Sequence, residues 1–139
     1  WLAGHMDRDE RDPEAAVILL LVMAGAAVGA PARWLLDRSI QTRHPSLFPW
    51  GTFTINMLGS LLLGVVVGAA ASAPLVALLG TGFCGGFTTF STFSFEAVRM
   101  TEESHGRRAL LYVAASLVAG LLAATLGWYL GDLISPSGR

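Results

Sequence analysis

Apolar residues dominate three tracts free of Asp, Glu, Lys and Arg: Ala15 to Ala32, His44 to Phe95 and Ala109 to Gly131, stretches of 18, 52 and 23 residues. A bilayer-spanning helix needs about 20 mostly apolar residues, so the outer tracts read as one span each and the middle one as two. The pattern predicts four transmembrane helices, at about residues 15–37, 50–72, 74–100 and 107–133, within one domain over 15–134. Trp50 suits the membrane interface at the start of the second. Ala73-Pro74 would give the second and third helices a very short turn and make them antiparallel neighbours. Residues 7–14 are too charged to pack and read as a solvated lead-in, Gly4-His5-Met6 as a cloning scar, and residues 135–139 as a short tail. The predicted class is an all-α integral membrane protein.

Composition narrows this further. The chain is 53% hydrophobic and 14% charged, against about 25% charged in soluble domains. Four spans leave no room for a soluble catalytic domain. All nine basic residues are Arg, and they form no stripe for nucleic acid. The single cysteine, Cys84, excludes an internal disulfide or a cysteine-based metal cluster. Six arginines (Arg33, Arg38, Arg43, Arg99, Arg107, Arg108) lie on the side of loops one and three, and three (Arg8, Arg11, Arg139) on the side of the termini. The positive-inside rule then puts the termini outside, but the bias is small enough to permit insertion both ways round.

Small residues recur four apart at Gly25/Gly29, Gly64/Gly68, Gly82/Gly86 and Gly127/Gly131. In lipid, close backbone approach replaces the hydrophobic effect as the force between helices. Such pairs serve helix association within one chain, and because four short helices bury little alone, a dimer is also expected.

The third helix carries the unusual chemistry. Gly80, Gly82, Gly85 and Gly86 fall within seven residues, each costing a helix interior about 1 kcal/mol relative to alanine. Thr88-Thr89-Phe90-Ser91-Thr92-Phe93-Ser94 follows. A break at this Gly/Thr-rich segment is expected, with freed carbonyls able to hold a cation; a glycine-softened helix whose hydroxyls bond back to its own carbonyls is the other reading. Helix two shows Thr52, Asn56, Ser60, Gly64 and Gly68 at four-residue spacing, and helix four shows Tyr112, Ser116, Gly120 and Ala124. Each set keeps to one face, so two polar tracks can line a narrow path. Asn56, the one amide in any span, reads either as interhelical glue worth about 0.6 kcal/mol or as a pore group. Neutral donors without an acid favour an anion over a metal cation or proton. Phe90 and Phe93 present either positive ring edges to that path or ordinary packing. Arg33 and Glu96 flank the apolar regions, as functional groups or as snorkelling ends. His44 and His105 lie in loops without matching ligands. Without a nucleophile–base pair or phosphate loop, the chain does not read as an enzyme.

The segments Gly25 to Arg33 (GAAVGAPAR), Gly51 to Ser60 (GTFTINMLGS) and Gly82 to Ser94 (GFCGGFTTFSTFS) resemble, in order, the Fluc (CrcB-type) fluoride channels. The resemblance implies a passive channel exporting cytoplasmic fluoride across the cell membrane, built as an antiparallel dual-topology homodimer with two pores and a central structural sodium ion. Carried over by motif, Asn56 is the pore amide, Phe90 and Phe93 the aromatic pair, and Thr52, Tyr112 and Ser116 belong to the polar track. Gly85 and Thr88 would hold the sodium through backbone carbonyls. Arg33 matches the family arginine of helix one and Glu96 the acid ending the helix-three motif; both are candidates for the pore mouth. Gly120 departs from the pattern, standing where a hydroxyl would continue the helix-four track. The competing readings are a small dual-topology multidrug/proton antiporter, whose nearest candidate acid is Glu14, and a non-transporting assembly subunit.

Overall fold

The computed structural model describes residues 13–43 and 46–135. Residues 1–12, 44–45 and 136–139 lie outside the described residues, and with them the scar, most of the lead-in, His44 and three of the nine arginines in the orientation count. The described chain is all helical, with four segments long and apolar enough to cross a membrane, as a multi-pass membrane protein requires.

The first segment, α1 (Pro13–Arg43), continues past the residue-37 limit expected for helix one. Charge stops membrane insertion without stopping a helix: Gln41 donates to Asp37 at 2.8 Å and the Ser39 hydroxyl to the Leu35 carbonyl at 2.7 Å. Pro31 sits inside α1, and the helix runs on through it. The second segment, α2 (Trp50–Gly68), ends four residues before the expected position 72. Its end is a Schellman turn. Ala70 takes φ 47°, its N–H bonds the Val67 carbonyl at 3.1 Å, and the Ala71 N–H reaches back to Val66 at 3.4 Å. The turn is therefore 69–72, and Ala73-Pro74, expected to form it, instead opens the next helix, with Ser72 as its cap.

The third segment covers Ala73–Glu102 in pieces: α3 (Ala73–Leu75), a π-helical stretch over Val76–Cys84, α4 (Gly85–Phe87) and α5 (Phe90–Glu102). Between the last two, Thr88 (φ −77°, ψ 161°) and Thr89 (φ −148°, ψ 120°) are extended. A second Schellman turn, with Ser104 at φ 64° and the His105 N–H bonded to the Met100 carbonyl at 2.8 Å, leads into α6 (Gly106–Ile134).

Two close pairs dominate the packing: α2 with α6, and α1 with the third segment. All four glycine pairs are used inside the chain. A Cβ on Gly25 or Gly29 would strike backbone from Leu78 to Phe87, and one on Gly82 or Gly86 would meet α1 at Val22 or Ala26. Likewise, Gly64 and Gly68 press on Ala124 and Trp128, while Gly127 and Gly131 press on Leu61, Val65 and Gly68. Backbones approach that closely only where no side chain intervenes. Leu19, Leu20, Leu110 and Leu121 stay outward, each more than half exposed, as lipid-facing side chains do.

Candidate functional site

Two clefts lie along the α2–α5–α6 face. The outer one, about 310 Å³, is lined at one end of the bundle by Phe48, Trp50, Glu96, Arg99, His105 and Arg108 among others. Its inner neighbour is an open apolar groove of about 640 Å³ that runs past Asn56, Ser60, Thr88, Thr89, Phe90, Phe93, Ser116 and Gly120. No Asp, Glu, Lys or Arg lines the inner groove.

Glu96, which lines the outer cleft, holds two residues that line neither. The Glu96 carboxylate accepts from the Thr52 hydroxyl at 2.9 Å through Oε1 and from the Tyr112 hydroxyl at 3.0 Å through Oε2. Thr52 and Tyr112 are the most completely buried polar side chains described, at 1% and 0% exposed. Sequence spacing placed these two hydroxyls as donors along the track; in the structure both protons are directed at Glu96 instead. A carboxylate at this depth is stable only when its oxygens are bonded, and two O–H donors supply that.

One turn deeper, Asn56 faces the extended pair. Its Oδ1 accepts the Thr89 N–H at 3.0 Å, and its Nδ2 donates to the Thr89 carbonyl at 3.3 Å. One side-chain amide thus satisfies both backbone groups of a residue that has left the helix, as the absence of water in a bilayer demands. The Thr89 hydroxyl caps α5 by accepting from the Thr92 N–H at 3.3 Å. The glue reading of Asn56 is thereby realised, yet an amide nitrogen has two hydrogens, so one N–H remains for the groove. Ser116, one turn from Tyr112, is nine-tenths buried, and its Oγ has no hydrogen-bond partner among the described residues.

Phe90 and Phe93 stand at the groove with ring centroids 6.0 Å apart. Phe93 packs on Tyr112 at 5.1 Å, whereas Phe90 is 81% exposed. The bonds around the extended pair also strip two carbonyls of their helical donors. The Thr89 N–H, which would serve Gly85, goes to Asn56; the Thr92 N–H, which would serve Thr88, goes to the Thr89 hydroxyl. A Cβ at Gly85 would meet nothing within 4 Å. Arg33 stands apart from this constellation on α1, its Nε buried and without a described partner. His105 lines the outer cleft, a position that spacing alone gave no reason to single out.

The sequence pattern of the family described as CrcB-like protein, Camphor Resistance (CrcB), matches residues 20–128. A relative named fluoride-specific ion channel FluC 1 from Frankia casuarinae is 52% identical over 117 residues, covering 78% of this chain and 91% of the relative. Another of the same name from Streptomyces avermitilis is 54% identical over 115 residues, covering 79% and 93%. A third, from Nocardia farcinica, is 39% identical over 133 residues, covering 96% and 94%.

Proposed function

The chain belongs to the CrcB-like family, and from that membership we propose that it is a passive, fluoride-selective channel of the bacterial cell membrane, exporting fluoride from the cytoplasm. The observation that carries this reading is the pair of donors in the uncharged groove: the Ser116 hydroxyl, without a partner among the described residues, and the spare N–H of Asn56. Fluoride is small and strongly hydrated, so its carrier must replace water with compact donors while binding weakly enough to release the ion. Neutral O–H and N–H groups do this; a fixed cation would hold the ion too long. The edges of Phe90 and Phe93 carry positive quadrupole charge and extend the path. Glu96 fixes Thr52 and Tyr112 beside the outer cleft, where Arg99 is paired with Glu103 at 2.8 Å and Arg108 also lines the wall.

The extended Thr88–Thr89 pair serves as the break of helix three. We place a structural sodium ion there in a homodimer of antiparallel, dual-topology copies, held by the Gly85 and Thr88 carbonyls of both. What supports this is the loss of both carbonyls' helical donors and the open space at Gly85; a hard cation takes such oxygens. The ion would supply positive charge that ties the two breaks together. A proton-coupled antiporter would need a carboxylate free to exchange protons in the groove, whereas none lines the groove, both Glu96 oxygens are bonded to Thr52 and Tyr112, and Glu14 sits in the first turn of α1.

The test is efflux from liposomes loaded with potassium fluoride, triggered by a potassium ionophore, beside a chloride-loaded set. Rapid fluoride loss with silent chloride is expected. No fluoride loss from folded protein, or equal loss of both anions, would sink the reading.

A further inference from the structure

The helices bearing the two polar faces, α2 and α6, run parallel in a common register. Thr52 and Tyr112 share Glu96, and a Cβ at Gly64 would strike the Ala124 carbonyl. Between these levels, a Cβ at Gly120 would meet Met57 Cε at 3.4 Å and Ser60 Oγ at 3.8 Å. Residue 52 thus stands level with 112, 60 with 120 and 64 with 124, which sets Asn56 beside Ser116, each level one turn or about 6 Å further along. Helix α6 presents hydroxyls at Tyr112 and Ser116 and then none at Gly120. At that level the groove would have a gap in its donors if α6 alone supplied them.

Ser60 stands in that gap. It lines the groove with Asn56, Ser116 and Gly120 and is half-buried. Hydroxyls in apolar helices ordinarily bond back to the carbonyl four residues earlier, and Ser39, Thr42, Thr88, Thr101 and Thr125 do so here at 2.7–3.0 Å. Ser60 and Ser116, like Thr54, Thr81 and Ser94, do not, and of these the Ser116 oxygen is buried without a partner among the described residues. Two neighbouring hydroxyls without back-bonds, one of them buried, line the same groove.

Resting on the fluoride-channel reading, we propose that Ser60 is a fluoride-binding residue one turn beyond the Asn56–Ser116 level, and that Gly120 is the clearance that admits its hydroxyl to the ion. The donor missing from α6 is thus supplied across the groove by α2.

Hydroxyl transplantation tests this. Fluoride efflux is measured for the wild type, Ser60→Ala, Ser60→Ala/Gly120→Ser and Ser60→Ala/Gly120→Ala, each first shown by size-exclusion chromatography to be folded. Ser60→Ala is expected to slow efflux about tenfold, the effect of losing a hydrogen bond to a charged partner. Adding Gly120→Ser, whose Cβ meets only ordinary contacts, restores most of the rate; adding Gly120→Ala does not. The proposal fails if Ser60→Ala conducts like the wild type, or if alanine at 120 restores efflux as well as serine. Should Ser60→Ala not fold, Ser60→Gly takes its place in the same comparison. A wild type that passes no fluoride overturns both this proposal and the channel reading, whereas a conducting wild type with an unaffected Ser60→Ala overturns this one alone.

Discussion

Asn56 does two jobs with one amide, and the two separate by substitution. Asn56→Ala removes both bonds to Thr89, leaving an N–H and a carbonyl unsatisfied away from water, at about 1–3 kcal/mol each. We expect lost fluoride efflux together with a clear drop in thermal stability in detergent. Asn56→Asp, neutral in so apolar a groove, keeps an oxygen for the Thr89 N–H and an O–H for its carbonyl but has no second hydrogen for the groove, so efflux should vanish with less loss of stability than alanine causes. Equal stability of the alanine variant and the wild type would show that the Thr89 contacts contribute nothing. The importance of Asn56 was visible in the sequence as a lone amide among apolar residues. Its partner was not, because Thr89 lies 33 positions away and no pattern links the two. The same holds for Glu96, whose bonds to Thr52 and Tyr112 span 44 and 16 positions.

Helix ends and helix contacts follow different signals, and only some are written in residue type. Charge-free tracts located all four spans, because the bilayer selects on hydropathy. The end of α2 was hidden: Ala70 occupies the left-handed position of a Schellman turn, where glycine would have announced the stop. An L-residue there costs about 1–2 kcal/mol, so Ala70→Gly is expected to raise the midpoint of thermal unfolding; a lowered midpoint would contradict the turn geometry. Glycines in contact behave in the opposite sense. Gly127→Val would drive side-chain carbons into the Leu61 backbone and cost about 1–3 kcal/mol. Gly106→Ala, where a Cβ meets nothing within 4 Å, should be neutral or stabilising. Thermal melts of the two variants side by side decide this, and similar effects from both would dissolve the distinction between packed and free glycines.

The described residues form two zipped helix pairs meeting along the groove, with the glycine pairs already spent on internal contacts. A second copy in the proposed dimer must therefore dock through something else, and the open surface around Gly85 and Phe90 is the natural place. With Cys84→Ala to remove the native thiol, Gly85→Cys is expected to form a disulfide between copies under mild oxidation and run as a dimer on a denaturing gel. A persistent monomer band from protein that elutes as a dimer would move the contact elsewhere. The Asn56–Thr89 bonds carry a last consequence, which concerns time. The two backbone groups of Thr89 are satisfied by a side chain of α2, an element made earlier in synthesis. A segment entering the bilayer without α2 beside it has every reason to close Thr88 and Thr89 into ordinary helix. The extended pair is thus expected to form late in biogenesis, when the second span meets the third, and a chain inserted without that meeting would lack the proposed ion path.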